Sequence, residues 1–156
     1  MNHPVSQVVG QLLVTAVLGK WVKDTSRTEA DWQVSYGANE LPDEGDYAIG
    51  LSDVEGENEN KRSMRSGEPS IRPGVTLQIR APTDQEAVPK AWEVAAHLDA
   101  LSCRAVVVPN VVTGGTNTYR VQNFTRKYDP AFLHEEEREG RRVWVFRGLV
   151  TITQES

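Results

Sequence analysis

The stretch that most constrains the fold runs from residue 73 to residue 101, PGVTLQIRAPTDQEAVPKAWEVAAHLDAL. In its first part, apolar residues alternate with polar ones at Val75, Leu77 and Ile79. This alternation predicts a β-strand with one buried face. Arg80 ends the predicted strand, and Pro82 stops it because proline cannot donate a hydrogen bond to a strand ladder.

The second part of the same stretch predicts an amphipathic helix. Thr83 or Asp84 has the side chain of a helix N-cap, and Pro89 predicts that the helix starts late or is kinked. The predicted inner face comprises Val88, Ala91, Trp92, Ala95, Leu98 and Leu101. A strand followed directly by a helix indicates a mixed α and β architecture.

The rest of the chain supplies one more helix and several strands. The segment 4–23 predicts a helix, because its apolar residues recur at three-and-four spacing as far as Trp21. Strands are predicted at 31–36, 47–51, 104–109, 119–126 and 143–153. We expect the first two of these strands to pair as an antiparallel hairpin. The predicted order is α-β-β-(long loop)-β-α-β-β-β, in a single α+β domain over residues 1–156.

The segment 52–72 contains almost no apolar side chains. Such a segment cannot bury enough surface to offset the entropy lost on ordering, so we expect a polar loop that is mobile in the isolated protein. Its charges are segregated along the chain. Acidic residues come first, at Asp53, Glu55, Glu57 and Glu59, and basic residues follow at Lys61, Arg62 and Arg65.

The overall charge and the single cysteine exclude several classes of protein. A formal net charge of −5 argues against direct nucleic-acid binding, because phosphate backbones require clustered Lys and Arg. Cys103 is the single cysteine, which excludes an intrachain disulfide and predicts a buried, unreactive thiol in a reducing cytoplasm. Polar residues interrupt the apolar stretch 5–17, so neither a signal peptide nor a membrane-spanning helix is predicted.

No residue cluster predicts an enzyme, a metal site or a bound cofactor. His134 precedes three glutamates, as in a zinc-protease helix, but Arg138 stands where the second metal-binding His is required. The carboxylates in the segment 53–59 match no calcium-binding loop. His97 lies on the flank of the second helix near Asp99, and no Ser or Cys nucleophile stands in a recognised setting.

The order of these segments is similar to that of the tail terminator proteins of long-tailed bacteriophages, also described as phage minor capsid proteins. Four features carry the resemblance: an N-terminal helix, the strand PGVTLQIRA, the helix AWEVAAHLDAL and the segment YRVQNFTRKYDPAFLHEEEREGRRVWVFRGLVTIT. In that last segment an aromatic strand leads through a proline-bearing link to an arginine that opens the final strand. The corresponding positions are Pro130, Phe132, Leu133, Arg141 or Arg142, and Val143 onward. The resemblance covers residues 5–153.

The resemblance implies a mostly antiparallel β-sheet with two main helices packed on one face. It also implies a structural virion protein with no catalytic role and no cofactor. The partners would be further copies of the chain in a hexameric ring, the tail tube protein, and the head-tail connector or neck proteins. Such a ring stops tube polymerisation at the head-proximal end of the tail. The protein would be made in the cytoplasm of the host bacterium, with no membrane partner. DNA would pass through the lumen without specific binding, which suits an acidic chain.

A ring gives the polar segment and the strand end a possible role in subunit or tube contacts. The candidate interface residues are Asp53, Glu55, Glu57, Glu59, Lys61, Arg62, Arg65 and Arg80. The alternative for the segment 52–72 is a solvated loop without a partner. Three alternatives stay open for the whole chain. They are another neck component such as a head-completion or stopper protein, a small cytoplasmic α+β enzyme using His97, and an intracellular binding module or chaperone.

Overall fold

The computed structural model of the chain describes residues 3–37, 41–62, 69–109 and 114–155, with backbone alone at 55–62, 69–71 and 154–155. The helices are α1 (Val5–Thr15) and α2 (Asp84–Asp99). The strands are β1 (Lys20–Trp21), β2 (Gln33–Tyr36), β3 (Ala48–Arg62), β4 (Pro69–Ala81), β5 (Arg104–Pro109), β6 (Thr116–Arg126), β7 (Ala131–Glu135) and β8 (Arg142–Glu155). The predicted α+β class is confirmed.

The strands form one sheet in the order β1-β2-β3-β4-β8-β6-β5, and β7 pairs with the same edge of β8 as β6 does. Both helices pack on one face of this sheet. The apolar core contains Val8 and Leu13 of α1, Ala91 and Leu98 of α2, and Leu77 of β4. In the described part of the chain, no helix has the length and apolar character needed to cross a membrane.

The predicted hairpin between the segments 31–36 and 47–51 is wrong, because β2 and β3 run parallel, with Gln33 opposite Ala48. A parallel pair requires the connecting chain to return to the starting end of the sheet. The turn at 41–47 makes this return, and the Gln33 amide nitrogen holds it by donating to the carbonyl oxygen of Glu44 at 2.7 Å.

The first helix ends at Thr15 rather than at residue 23, so the prediction for its second half is wrong. Val17 has a φ of 61°, and the Leu18 N–H donates to the Leu13 carbonyl at 3.0 Å. This is a Schellman-type helix end, which turns the chain away from the helix axis. Trp21 therefore lies in β1, and its indole N–H donates to Gln11 at 3.2 Å.

The predicted loop over 52–72 is wrong where the structure describes it, because β3 and β4 continue as paired strands. Val54 lies opposite Gly74, and after a bulge Glu57 lies opposite Arg72 and Asn58 opposite Ile71. A second register shift follows, and Arg62 then lies opposite Pro69. Backbone hydrogen bonds satisfy both strands whatever the polarity of their side chains. The pairing of β4 with β8 ends at Gly74. Residues 55–62 and 69–73 therefore pair only with each other in the described structure, and we call them the β3–β4 arm.

Two further predictions about burial are wrong. Trp92 is 42% exposed, because α2 turns its small residues Ala87, Ala91 and Ala95 toward the sheet. Cys103 is exposed rather than buried. Its φ of 46° belongs to a tight turn that precedes β5, and this turn directs the residue away from the core.

The helix α2 begins at Asp84, upstream of Pro89, so it does not start late.

We predict that Val17→Gly stabilises the protein. Valine in the left-handed region costs about 1–2 kcal/mol relative to a residue that tolerates it, and Val17 is 86% exposed, so little packing is lost. Chemical denaturation should show an increase of about 1 kcal/mol in the free energy of unfolding. The matched control is Val107→Gly, at an exposed valine in a regular strand, which should destabilise the protein. Equal destabilisation by both changes would contradict the strain at Val17.

Candidate assembly surfaces

The strand β7 is an open edge of the sheet. It pairs on one side with β8, for example Phe132 opposite Trp144, and no strand covers its other side in the described residues. All five of its residues are exposed, and two of them are large and apolar, Phe132 at 45% and Leu133 at 44% exposure. Leu133 lies at the register shift between Phe132 and His134. An exposed apolar edge of this kind is a template for pairing with another strand.

Phe132 belongs to a packed cluster beside the start of α2. The Arg142 guanidinium lies 4.1 Å from the centroid of the Phe132 ring, and the Trp144 ring packs edge-on to Phe132 at 6.0 Å. One oxygen of Asp84 accepts from Arg142 Nε at 3.0 Å and from Trp144 Nε1 at 2.8 Å. These two hydrogen bonds, with Arg142 first, lower the pKa of Asp84. The contacts hold Phe132 in place while nearly half of it faces solvent.

A second aromatic residue with an arginine lies on the outer side of α2. The Arg126 guanidinium stacks 5.0 Å from the centroid of Trp92. Its nitrogens also reach Asp99 at 3.2 Å and Asp129 at 3.1 Å. Tryptophan and arginine are the residue types that most often dominate the binding energy of protein interfaces. Both aromatic clusters lie on the helix side of the sheet, next to the β6 and β7 edge.

The turn between β7 and β8 is acidic. Glu135, Glu137 and Glu139 are exposed, and the last two make no ion pair within the described structure. Glu136 differs from them because it points inward to the arginines described below. The Glu136 N–H donates to the Arg141 carbonyl at 2.8 Å, which closes the turn. Arg138 in the same turn is also exposed, so the turn presents a net negative charge directly beside the open β7 edge. We call it the acidic turn (residues 135–140).

Two buried arginines, Arg80 and Arg141, connect the acidic turn to the turn at 41–47. The carbonyl oxygen of Gly45 accepts from Arg80 at 2.7 Å and from Arg141 at 2.6 Å. Arg141 also contacts the Asp43 carbonyl at 3.2 Å and forms a 2.6 Å ion pair with Glu136. The pair thus ties the turn at 41–47 to the ends of two central strands.

The two arginines differ in how many of their guanidinium nitrogens have hydrogen-bond partners. Arg80 is fully buried, yet its Nε and Nη1 atoms have no hydrogen-bond partner. Burial lowers the pKa of Arg80, and the nearby positive charge of Arg141 lowers it further. Glu136 lies 3.5 Å from Arg80 Nη1 and only partly offsets these effects. Arg141 therefore makes most of the favourable contacts, while Arg80 adds a second, poorly paired charge.

The structure gives Asp53 and Arg80 contacts within the same chain. Asp53 accepts from the backbone N–H of Ser6 at 2.9 Å and from its hydroxyl at 2.8 Å. It therefore caps the first turn of α1, a position where Pro4 provides no side-chain cap. Arg80 has no exposed surface through which it could contact a second protomer.

The other candidate interface residues fall on the arm or beyond the described chain. The backbone of Glu55, Glu57, Glu59, Lys61 and Arg62 lies in β3, and their side chains are outside the described part of the structure. Arg65 lies outside the described residues. Their role in subunit contacts stays a prediction. The order along β3 places the acidic residues near the sheet and the basic residues near the outer end of the arm.

The histidines do not assemble into a catalytic group in the described structure. His97 is partly buried, and this burial, followed by the charge of Arg104, lowers its pKa. The nearby Asp99 is held by Arg126 instead. His134 is exposed on β7. Among the described residues, no three His, Cys, Asp or Glu side chains lie close enough to hold a metal ion.

A groove of about 750 Å³ lies between α1 and the strands β1 and β2. Its lining includes Gln7, Gln11, Trp21 and Tyr36. Neither His97 nor the two buried arginines contribute to it. The groove is open, and Lys23, Asp24 and Ser35 also line it beside the amide and aromatic side chains.

The chain matches no model of a known protein family, and a comparison with curated proteins finds no significant match. Inference about function therefore depends on the surfaces described above and on the order of elements along the chain.

We predict that replacing Arg141 destabilises the protein more than replacing Arg80 does. Arg141→Met should lower the free energy of unfolding by about 2–4 kcal/mol, because it leaves the Asp43 carbonyl unpaired and Arg80 as the remaining cation. Arg80→Met should cost less than about 1 kcal/mol, because Arg141 still holds Gly45 and a repulsive charge is removed. Urea unfolding of both variants measures the difference. Equal losses, or a larger loss for Arg80→Met, would contradict the assigned roles.

Proposed function

We propose that the chain is a structural protein of a phage tail, a tail terminator that assembles as a ring on the head-proximal end of the tail tube. The resemblance in element order implies a hexamer. The observation that carries the proposal is the presence of two unlike, incompletely paired strand surfaces, the β3–β4 arm and the β7 edge. Unlike surfaces favour head-to-tail contacts, and such contacts generate rings when the rotation closes.

The composition of the surface supports an assembly role. The open β7 edge exposes Phe132 and Leu133, which a chain acting alone would normally protect with charge or cover with another element. The fixed aromatic clusters around Trp92 and Trp144 supply residue types common at the centres of protein interfaces. A net charge of −5 suits a ring through which DNA passes, since like charge weakens phosphate binding.

A ring with this role has two different ends. One end meets the tail tube and stops its polymerisation, and the other meets the head-tail connector. The protein would be synthesised in the cytoplasm of a bacterial host and incorporated into the virion. A head-completion or stopper protein would join the connector without binding the tube, so tube binding separates the two roles.

Negative-stain electron microscopy of the purified protein, alone and mixed with tail tubes, tests the proposal. We expect rings with an axial opening wide enough for double-stranded DNA, and we expect them at one end of the tubes. The tubes should also stop elongating when the protein is added during their polymerisation. Val17→Gly, which changes a residue that belongs to neither strand surface, serves as an assembly-neutral control. A protein that stays monomeric at high concentration and leaves tube length unchanged would overturn the proposal.

A further inference from the structure

At its base, the β3–β4 arm is tied to β6, because Arg72 donates to Asn123 at 3.3 Å and to Thr125 at 2.6 Å. Beyond this point the arm lacks the neighbouring strands that the rest of the described sheet has. Beyond Gly74, neither β8 nor any other described element pairs with it. A two-stranded ribbon on its own is only marginally stable in water. The arm is therefore a segment that gains stability when a further strand or surface covers it.

The arm and the β7 edge lie at opposite ends of one protomer. Val143 of β8 pairs with Arg80 of β4 on one side and with His134 of β7 on the other. The β7 edge therefore lies at the same level of the sheet as the last residues of β4. From Arg80 to Pro69, β4 advances by roughly 35 Å at about 3.3 Å per residue. The outer end of the arm is thus too distant to contact the β7 edge of its own chain, although it can contact that of a neighbour.

The sequence gives the two surfaces formal charges of opposite sign. The outer end of the arm contains Lys61 and Arg62, with Arg65 following in the sequence. The acidic turn beside β7 exposes Glu135, Glu137 and Glu139. Complementary charge of this kind sets the register of an interface and opposes wrong pairings.

The two strands of the arm differ in their ability to pair further. Pro69 and Pro73 remove two backbone donors from the β4 side, whereas the β3 side contains no proline between residues 48 and 62. The β3 side therefore keeps every backbone donor that a new strand could use, although β3 is irregular between Asn58 and Arg62.

We propose that the β3 side of the arm of one protomer adds to the open β7 edge of the next, with Lys61 and Arg62 placed over the acidic turn. Phe132 and Leu133 form the apolar centre of this contact, and the charges form its rim. The contact joins unlike surfaces of successive copies, so it propagates head to tail around the ring. The inference rests on the proposed function and identifies the subunit contact within it.

A pair of matched substitutions tests the apolar centre. Leu133→Asp places a charge on the β7 edge, and Val107→Asp places the same charge on a somewhat more exposed residue of β5, another edge strand. We expect Leu133→Asp to raise the concentration for half-assembly by at least about tenfold, which corresponds to about 1.4 kcal/mol. Val107→Asp should assemble like the wild type. Sedimentation velocity over a range of concentrations measures both, with circular dichroism to verify folding.

A charge exchange tests the rim without relying on apolar contacts. Glu137→Lys and Lys61→Glu should each weaken assembly, because each places like charges against each other across the contact. The double variant with both changes should recover most of the lost assembly. Glu29→Lys, at an exposed glutamate far along the chain from both surfaces, controls for net charge. Recovery in the double variant is an outcome that a purely structural defect would not produce.

The outcomes separate this inference from the proposed function. If the wild type forms rings and neither Leu133→Asp nor the charge reversals affect them, the arm contact is wrong and the ring stands. If the wild type forms no ring by itself or on tubes, both are overturned. If Val107→Asp disrupts assembly while Leu133→Asp does not, β5 rather than β7 forms the subunit contact.

Discussion

The point at which β4 separates from β8 governs the shape of the protein. As far as Gly74, β4 has a strand on each side and an apolar face under the helices. Pro73 has no backbone N–H, so it cannot extend the ladder with β8, and it falls at the bulge opposite β3. Beyond that residue the two strands pair only with each other in the described structure, and the Arg72 side chain ties their base to Asn123 and Thr125 of β6. One proline thus divides a stable body from an arm that is available for contacts with another molecule.

At the opposite end of β4, the buried arginines Arg80 and Arg141 fix the position of a turn. They hold the turn at 41–47 and the start of β8 through shared carbonyl oxygens, chiefly that of Gly45. Glu136 is drawn inward to neutralise part of their charge, and the other glutamates of the acidic turn remain outside. The interior electrostatics therefore determine which carboxylates are left for a partner. Removing one member of such a buried network leaves the remaining groups unpaired, so the network holds the turn at 41–47 against the start of β8.

The hydrophobic pattern of the sequence predicted the elements that bury an apolar face. It did not predict the elements whose residues are polar or exposed. The alternation at Val75, Leu77 and Ile79 predicted β4, and the segment 104–109 matches β5. The arm was missed because its pairing depends on backbone groups, which leave no hydrophobic pattern. The strand β7 was missed because all its residues are exposed, so burial gives no alternation to detect. The inward role of Arg80 depends on a turn about 35 residues away in the sequence, and no local spacing reveals that contact.

Hydrogen exchange of the backbone amides tests the central claim most directly, because it follows the arm and the β7 edge residue by residue in one experiment. In dilute protomer, we expect residues 55–62 and the outward amides of 131–135 to exchange rapidly, since the described structure gives them little cover. In the assembled protein both segments should slow together by at least about tenfold, while β5 is unchanged. Slowing confined to β5 or to the groove beside α1, with the arm and β7 unaffected, would contradict the account.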